Sequence, residues 1–144
     1  MSRLDLAARQ FLGVPFHHQG RDPTLAVDCI GLLSASCEAL GWLHYLTHDR
    51  TDYSPAPHDG VLEAQLQDAF GAPVPKSDMQ AGDVVAMRSG LGGPIRHVSI
   101  LGDHPSGELS LIHTSATTHC VTEHILNPAA RRLIALVFRP AGEP

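Results

Sequence analysis

The spacing of apolar residues changes from a helical period to a two-residue period near residue 80, and this change limits what the chain can fold into. Before that point the sequence predicts helices over residues 3–12, 29–40 and 59–70. After it, short alternating runs predict strands over residues 83–87, 95–102, 108–114, 119–126 and 133–138. Helices followed by antiparallel strands indicate an α+β domain, in which N-terminal helices pack on a C-terminal sheet of about five strands.

The length and composition of the chain fit one domain and argue against several functions. The 144 residues, 43% of them hydrophobic, can form one core, and no linker interrupts them, so residues 1–144 are assigned to a single domain. A net charge of −5 argues against nucleic-acid binding, and the apolar runs are too short to insert into a membrane. Charges at Arg3, Asp5 and Arg9 interrupt the first segment, which predicts synthesis in the cytoplasm without a signal peptide.

Cys29 is the first candidate for a catalytic residue. Asp28 is a favourable N-cap, so Cys29 would begin a helix whose N-terminus places partial positive charge and unpaired N–H groups beside the sulfur. These groups would favour the thiolate and stabilise an oxyanion. Gly31 lowers helix propensity by about 1 kcal/mol relative to alanine, which indicates that another group needs the space. The alternative is that Cys29 is a small buried core residue.

His97 and His113 are predicted to meet on neighbouring strands. If the second and third strands form a hairpin in which Gly102 faces Glu108, His97 faces His113 directly. Opposed residues share one face of a sheet, and a one-residue slip would separate them. His97 would then be the base for the thiol, and His113 would orient that base. The alternative is that both histidines lie on a half-exposed strand and bind water.

Four segments in this order resemble the NlpC-type family of cell-wall cysteine peptidases, which have a papain-like fold. They are similar to the family's nucleophile motif (DCIGL, 28–32), its first strand and the turn before it (QAGDVVAM, 80–87), the strand of its base (RHVSIL, 96–101) and the strand of its third catalytic residue (LIHTS, 111–115). The resemblance extends over residues 4–139. Residues 12–20, LGVPFHHQG, are most similar to the branch encoded with phage tails and gene transfer particles.

The resemblance implies a function, partners and further site residues. It implies a cysteine peptidase or amidase without cofactor or metal, with Cys29, His97 and His113 as catalytic residues, that hydrolyses amide bonds of peptidoglycan stem peptides. The phage-tail branch implies tail-tip or hub proteins as partners and a virion or particle tail as the location, where the enzyme would aid cell-wall penetration. The family usually has tyrosine at the position of Phe16, and phenylalanine cannot donate the hydrogen bond of that hydroxyl to an oxyanion. The candidates for oxyanion or substrate contacts are Phe16, His17, His18, Gln19 and Asp28.

Two other functions stay open. The chain has 10 histidines, so a metal site is one alternative, although no set of ligands has zinc-finger spacing and scattered surface histidines are the favoured explanation. The candidate ligand pairs are His17 with His18, His44 with His48, and His119 with Cys120. The other alternative is a weakly active or inactive docking module of a tail tip, because Phe16 lacks the hydroxyl.

Overall fold

The computed structural model describes residues 3–48 and 60–141, which form four α-helices and seven strands. In chain order these are α1 (Leu4–Ala8), β1 (Arg21–Asp22), β2 (Ala26–Val27), α2 (Cys29–Ala39), α3 (Val61–Phe70), β3 (Val84–Arg88), β4 (Ile95–Asp103), β5 (Leu109–His113), β6 (Thr122–Ile125), α4 (Pro128–Leu133) and β7 (Ile134–Phe138). Short 3-10 helices lie at Arg9–Phe11, Leu43–His48 and Lys76–Asp78.

The last five strands form one antiparallel sheet in the order β6-β5-β4-β3-β7. Strand β4 is its centre and its longest member, with β3 and β5 on either side. The helices α1 to α3 precede this sheet in the chain and pack against it. The predicted α+β class, with N-terminal helices on a C-terminal antiparallel sheet of about five strands, is therefore confirmed.

Side chains alternate along each strand, and each face of the sheet carries an apolar cluster of its own. Ile100 pairs with Ile112 and contributes to the core between the sheet and the helices, together with Leu32 of α2. The adjacent pair, Leu101 and Leu111, belongs to a second apolar cluster on the opposite face.

The structure differs from the sequence-based prediction at several element boundaries. The predicted helix over 3–12 is α-helical only to Ala8 and continues as a 3-10 turn. The predicted helix over 59–70 is described from Gly60 onward, because residue 59 lies outside the described residues. The predicted strand over 119–126 begins at Thr122. His119 has a φ of 66° and cannot continue a strand, because that is the left-handed backbone region.

One helix and one two-stranded ladder were not predicted. Helix α4 precedes β7 and begins at Pro128, with the Asn127 side chain accepting a hydrogen bond from the Ala130 N–H at 2.8 Å. The short ladder β1–β2 lies within residues 13–27, which the sequence treats as irregular. This ladder matters for the site, since it leads directly into α2.

A charged network links Arg9, the residue after α1, to strand β6. The Arg9 guanidinium donates to both carboxylate oxygens of Glu123, at 3.0 and 2.9 Å, and also to Asp103. The Ser110 hydroxyl donates to Glu123 at 2.6 Å. These contacts fix strand β6, which lies at the edge of the sheet.

Candidate active site

Cys29 is the first residue of α2, as predicted, and Asp28 is the N-cap. The Asp28 carboxylate is buried and accepts from the Gly31 N–H at 2.8 Å, from the Gln19 N–H at 2.9 Å and from the Arg21 guanidinium at 3.0 Å. One carboxylate therefore caps the helix and ties the preceding loop to it. With its oxygens engaged in this way, Asp28 positions Cys29 and has little capacity left for a substrate.

The space that Gly31 leaves is filled by the backbone of Gly20. A Cβ atom at position 31 would lie 2.0 Å from the Gly20 carbonyl oxygen, which no packing can accommodate. The loop before α2 therefore lies directly on the first turn of the helix. The expectation that another group needs the space at Gly31 is confirmed, and this close approach sets the position of the loop beside Cys29.

His97 and His113 do meet, but not as directly opposed residues. The register pairs Ile100 with Ile112 and Asp103 with Leu109, which is two residues away from the predicted register. The predicted pairing was wrong because β4 continues through Asp103, so that the turn spans residues 104–108 instead of 103–107. A shift of two residues keeps every side chain on its face, whereas a shift of one would have reversed it.

The two histidine rings are hydrogen-bonded. His97 Nε2 lies 2.9 Å from His113 Nδ1, and the ring planes are inclined by 75°. His97 lies on β4 and His113 ends β5, so strand pairing holds both backbones. The bond occupies Nε2 of His97 and leaves Nδ1 as the nitrogen available to another group.

A third histidine continues this chain of rings. His113 Nε2 lies 2.8 Å from His124 Nε2, and His124 Nδ1 lies 3.1 Å from the carbonyl oxygen of Ile125. No sequence pattern indicated this contact, because it depends on the register of β5 with β6. In that register His124 pairs with Leu111 and is a diagonal neighbour of His113, a separation that long side chains can bridge.

Cys29 and His97 line one cleft with a volume of about 240 Å³. The cleft is formed by the head of α2, the start of α3, the β4 strand and the segment after β5. Its other lining residues are Phe16, His18, Asp28, Ile30, Val61, Leu62, Gln65, Arg96, Thr114, Ser115 and Ala116. Most of this surface is apolar, so the cleft can hold an extended substrate segment and exclude water around the sulfur.

Sequence reasoning placed only some of these residues. Of the candidates for oxyanion or substrate contacts, Phe16, His18 and Asp28 line the cleft, whereas His17 and Gln19 are not among its lining residues. His17 Nδ1 is instead 2.9 Å from the His18 carbonyl oxygen. The contributions of α3 and of Arg96 were missed, because the distance between α3 and the strands depends on tertiary packing that no local pattern reports.

The predicted effect of the helix N-terminus on the pKa of Cys29 is outweighed by burial. Burial raises the pKa of the thiol to about 12, and the adjacent Asp28 carboxylate raises it further. The backbone N–H groups of Val98 and Ile30 act in the predicted direction but are weaker than burial. A lone thiolate is therefore disfavoured here, because few dipoles replace the water that the charge would lose.

The imidazoles are also shifted toward their neutral forms. Burial lowers the pKa of His97 to about 3, and the nearby His113 adds to this effect. Burial likewise lowers the pKa of His113 to about 4, with His124 as the second cause. The Cys29 thiol and the His97 imidazole consequently hold one proton between them over a wide pH range.

The described residues do not contain a metal site. No group of three histidine, cysteine or acidic side chains within residues 3–48 and 60–141 could hold a metal ion. The side chain of His48, one of the candidate ligands, lies outside the described residues. Cys29, Cys37 and Cys120 are free thiols, and Cys37 is buried in the core. Within the same ranges, no helix is both long and apolar enough to cross a membrane.

Solved structures share the architecture described above. An NlpC/P60 family protein from Bacillus cereus superposes with a TM-score of 0.65 and 21% identity, over 99% of this chain and 40% of that protein. The NlpC/p60 domain of the peptidoglycan hydrolase SagA superposes with a TM-score of 0.59 and 19% identity, over 94% of this chain and 95% of that domain. The fold is therefore that of an NlpC/P60 domain.

The sequence identifies the family. The model of the NlpC/P60 family matches residues 13–135, so this chain belongs to the NlpC/P60 family. A probable endopeptidase of Corynebacterium glutamicum is 34% identical over 121 residues, which are 84% of this chain and 46% of that protein. The chain thus spans about half the length of this curated relative.

Proposed function

We propose that this protein is a cysteine peptidase that hydrolyses amide bonds in peptidoglycan stem peptides. Cys29 is the nucleophile, His97 is its base, and His113 orients His97. The observation that carries the proposal is the 2.9 Å bond between His97 Nε2 and His113 Nδ1, beside a cysteine at the head of a helix in the same cleft. A nucleophile, a base and a group that orients the base are the parts that thiol catalysis requires.

The relatives support the reaction and the substrate class. The curated relative from Corynebacterium glutamicum is named a probable endopeptidase, and SagA, whose domain has the same fold, is named a peptidoglycan hydrolase. A cleft lined mainly by apolar atoms suits the aliphatic parts of a peptide. Arg96 on its rim adds a cation that suits the carboxylates of an acidic stem peptide.

The first half of the reaction forms a thioester. As the Cys29 sulfur attacks the carbonyl carbon, the thiol proton moves to Nδ1 of His97, and the carbonyl oxygen becomes an oxyanion. The Cys29 N–H lies at the first position of α2 and has no acceptor within the helix, so it can donate to that oxyanion. His97 then gives the proton to the leaving amine as the amide bond breaks.

The second half releases the product. Water loses a proton to Nδ1 of His97 and attacks the thioester carbonyl. The C–S bond breaks, the sulfur takes the proton back from His97, and the acyl group leaves as a carboxylic acid, which ionises. His97 can accept a proton in both halves because burial keeps its resting form neutral.

Digestion of purified peptidoglycan tests the proposal. Wild-type protein and the Cys29→Ala variant are incubated with peptidoglycan, and the released muropeptides are identified by mass spectrometry. We expect stem-peptide fragments from the wild type and a loss of at least a thousandfold in Cys29→Ala, as for removal of other covalent nucleophiles. Cys37→Ala is the matched control for a thiol outside the cleft. Equal digestion by wild type and Cys29→Ala would overturn the proposal.

A second candidate function, a docking module with a weak site, is favoured by one residue. Phe16 lines the cleft at the position where the family resemblance places a tyrosine hydroxyl, and phenylalanine has no donor for an oxyanion. Phe16→Tyr should restore that donor and raise kcat by about tenfold or more. The double variant Cys29→Ala/Phe16→Tyr should stay inactive. If neither wild type nor Phe16→Tyr digests peptidoglycan, the docking role is the better assignment.

The place of the protein in a phage tail or gene transfer particle stays a prediction. It depends on the resemblance of residues 12–20 to that branch of the family, and the tail-tip and hub partners depend on the same segment. The catalytic proposal does not require it, because the cleft and its residues lie within the described domain.

A further inference from the structure

The chain of imidazoles beyond His113 ends at a group that can accept but never donate a hydrogen bond. His124 Nδ1 lies 3.1 Å from the carbonyl oxygen of Ile125, and a carbonyl oxygen has no proton. His124 Nδ1 must therefore carry the proton of this bond. In a neutral ring the other nitrogen is then bare, so His124 Nε2 is an acceptor.

The remaining tautomers follow from this end point. His113 Nε2, 2.8 Å from the bare His124 Nε2, must donate, so His113 Nδ1 is bare. His97 Nε2, 2.9 Å from that atom, must donate in turn, which leaves His97 Nδ1 without a proton. One backbone carbonyl thus determines the tautomers of three rings in succession.

We infer that His124 is a positioning residue that selects the catalytically competent tautomer of His97 through His113. This inference deepens the proposed function and rests on it, since a bare Nδ1 is the form that can take the thiol proton of Cys29. His124 does not line the cleft, so it acts through His113 and makes no contact with a substrate. His113 alone could bond to His97 in either tautomer, because an imidazole can donate or accept at Nδ1.

The surroundings hold His124 in place. Strand β6 pairs with β5, and Glu123 beside His124 is fixed on the other face of the strand by Arg9 and Ser110. The His124 side chain is exposed on its outer side, so substitutions there should leave the fold intact. This exposure makes position 124 suitable for a test that changes hydrogen-bond character alone.

Two substitutions separate accepting from donating at this position. His124→Gln keeps an acceptor for His113 Nε2, whereas His124→Lys offers only donors and opposes the proton on that atom. The matched control is His104→Lys, which makes the same change in the turn between β4 and β5. We expect His124→Gln to retain kcat within threefold, and His124→Lys to lose at least tenfold relative to His104→Lys, with KM changed less than twofold in each.

Nitrogen-15 NMR of the histidine rings gives a readout that needs no activity. In the full-length wild type and in His124→Gln, His97 is expected as the neutral tautomer with a proton on Nε2, and His124→Lys should shift part of it to the Nδ1-protonated form. A proton on His97 Nδ1 in the neutral wild type, or equal kcat in His124→Gln, His124→Lys and His104→Lys, would overturn the inference. If wild type and Cys29→Ala are equally inactive while the tautomers are as expected, the proposed function fails and the tautomer chain does not.

Discussion

At the residue scale, the thiol of Cys29 and the imidazole of His97 must be considered as a pair. Burial raises the pKa of the thiol to about 12 and lowers that of the imidazole to about 3, so a single charge on either group is unfavourable. Transfer of the proton from one to the other creates both charges together, and each then stabilises the other. The reactive thiolate thus forms with the imidazolium and not by loss of a proton to solvent.

This coupling predicts an unusual pH dependence for alkylation of Cys29. Between the two shifted pKa values the pair holds one proton, so the fraction present as thiolate and imidazolium does not change with pH. The rate of iodoacetamide labelling at Cys29 should therefore vary less than threefold between pH 5 and 8. Peptide mapping by mass spectrometry, with Cys120 as the internal comparison, measures this rate.

The His97→Ala variant provides the control for this experiment. Without its partner, Cys29 can ionise only to solvent, and its labelling rate should rise about tenfold per pH unit below the thiol pKa. A wild-type rate that rises as steeply as that of His97→Ala would show that the two groups do not share a proton. Slow labelling at pH 6 alone would not separate these cases, so the whole profile is needed.

The contrast between Cys29 and His124 shows what a sequence can predict about single residues. Cys29 follows an N-cap and starts an apolar helical stripe, and His97 follows from the face parity of a hairpin, so both depend on local patterns. The contact of His124 with His113 depends on the register of β5 and β6, which are joined by an eight-residue connection, residues 114–121. This connection contains His119 in the left-handed backbone region, and no apolar period predicts such a residue. The thiol pKa depends on packing from several elements.

At the element scale, the start of α2 and the loop before it form one unit. Asp28 caps the helix and accepts from the Gln19 N–H, while Gly31 allows the Gly20 carbonyl to approach the first turn. The helix stripe was predictable because apolar residues recur every three to four positions. The hairpin register was wrong by two residues, and the rings still met because face parity survives an even shift.

Substitution of Gly31 by alanine should destabilise this unit. The new Cβ would lie 2.0 Å from the Gly20 carbonyl oxygen, so the loop must move away from the helix. We expect a loss of about 2 kcal/mol in the free energy of unfolding, because overpacking outweighs the roughly 1 kcal/mol that alanine contributes to a helix. Urea denaturation followed by circular dichroism measures the change.

Gly90→Ala is the matched control, since no atom lies within 4 Å of a Cβ at that position and its φ is not positive. It should leave the free energy of unfolding unchanged to within about 0.5 kcal/mol. If Gly31→Ala were as stable as Gly90→Ala, the contact between Gly20 and α2 would not hold the loop. In that case the position of the lining residues that follow Phe16 would need another explanation.

At the scale of the whole molecule, the cleft lies where the helical layer meets one end of the sheet. Cys29 comes from the first half of the chain and the histidines from the second, so the site forms only when the two layers pack. Arg9, which follows α1, contributes to this assembly through its bond to Glu123 of the edge strand β6. The same packing that brings the catalytic groups together also removes water from the imidazoles, which connects the site to global stability.

The two shifted imidazoles should make folding weaken as the pH falls. The pKa values of His97 and His113 are lowered to about 3 and about 4 in the folded chain. Below pH 6.5 these two imidazoles therefore bind protons in the unfolded chain but stay neutral in the folded chain. The free energy of unfolding should therefore fall by about 2 kcal/mol for each of these histidines between pH 7 and pH 5. Urea titrations across this interval measure the fall, and the carboxylates shifted by Arg9 contribute only at lower pH, since the pKa values of Asp103 and Glu123 are themselves lowered.

The double variant His97→Gln/His113→Gln cannot titrate at these positions and should lose most of the slope. A double variant as pH-sensitive as the wild type would mean that both rings accept protons in the folded state, and the lowered pKa values of His97 and His113 would be wrong.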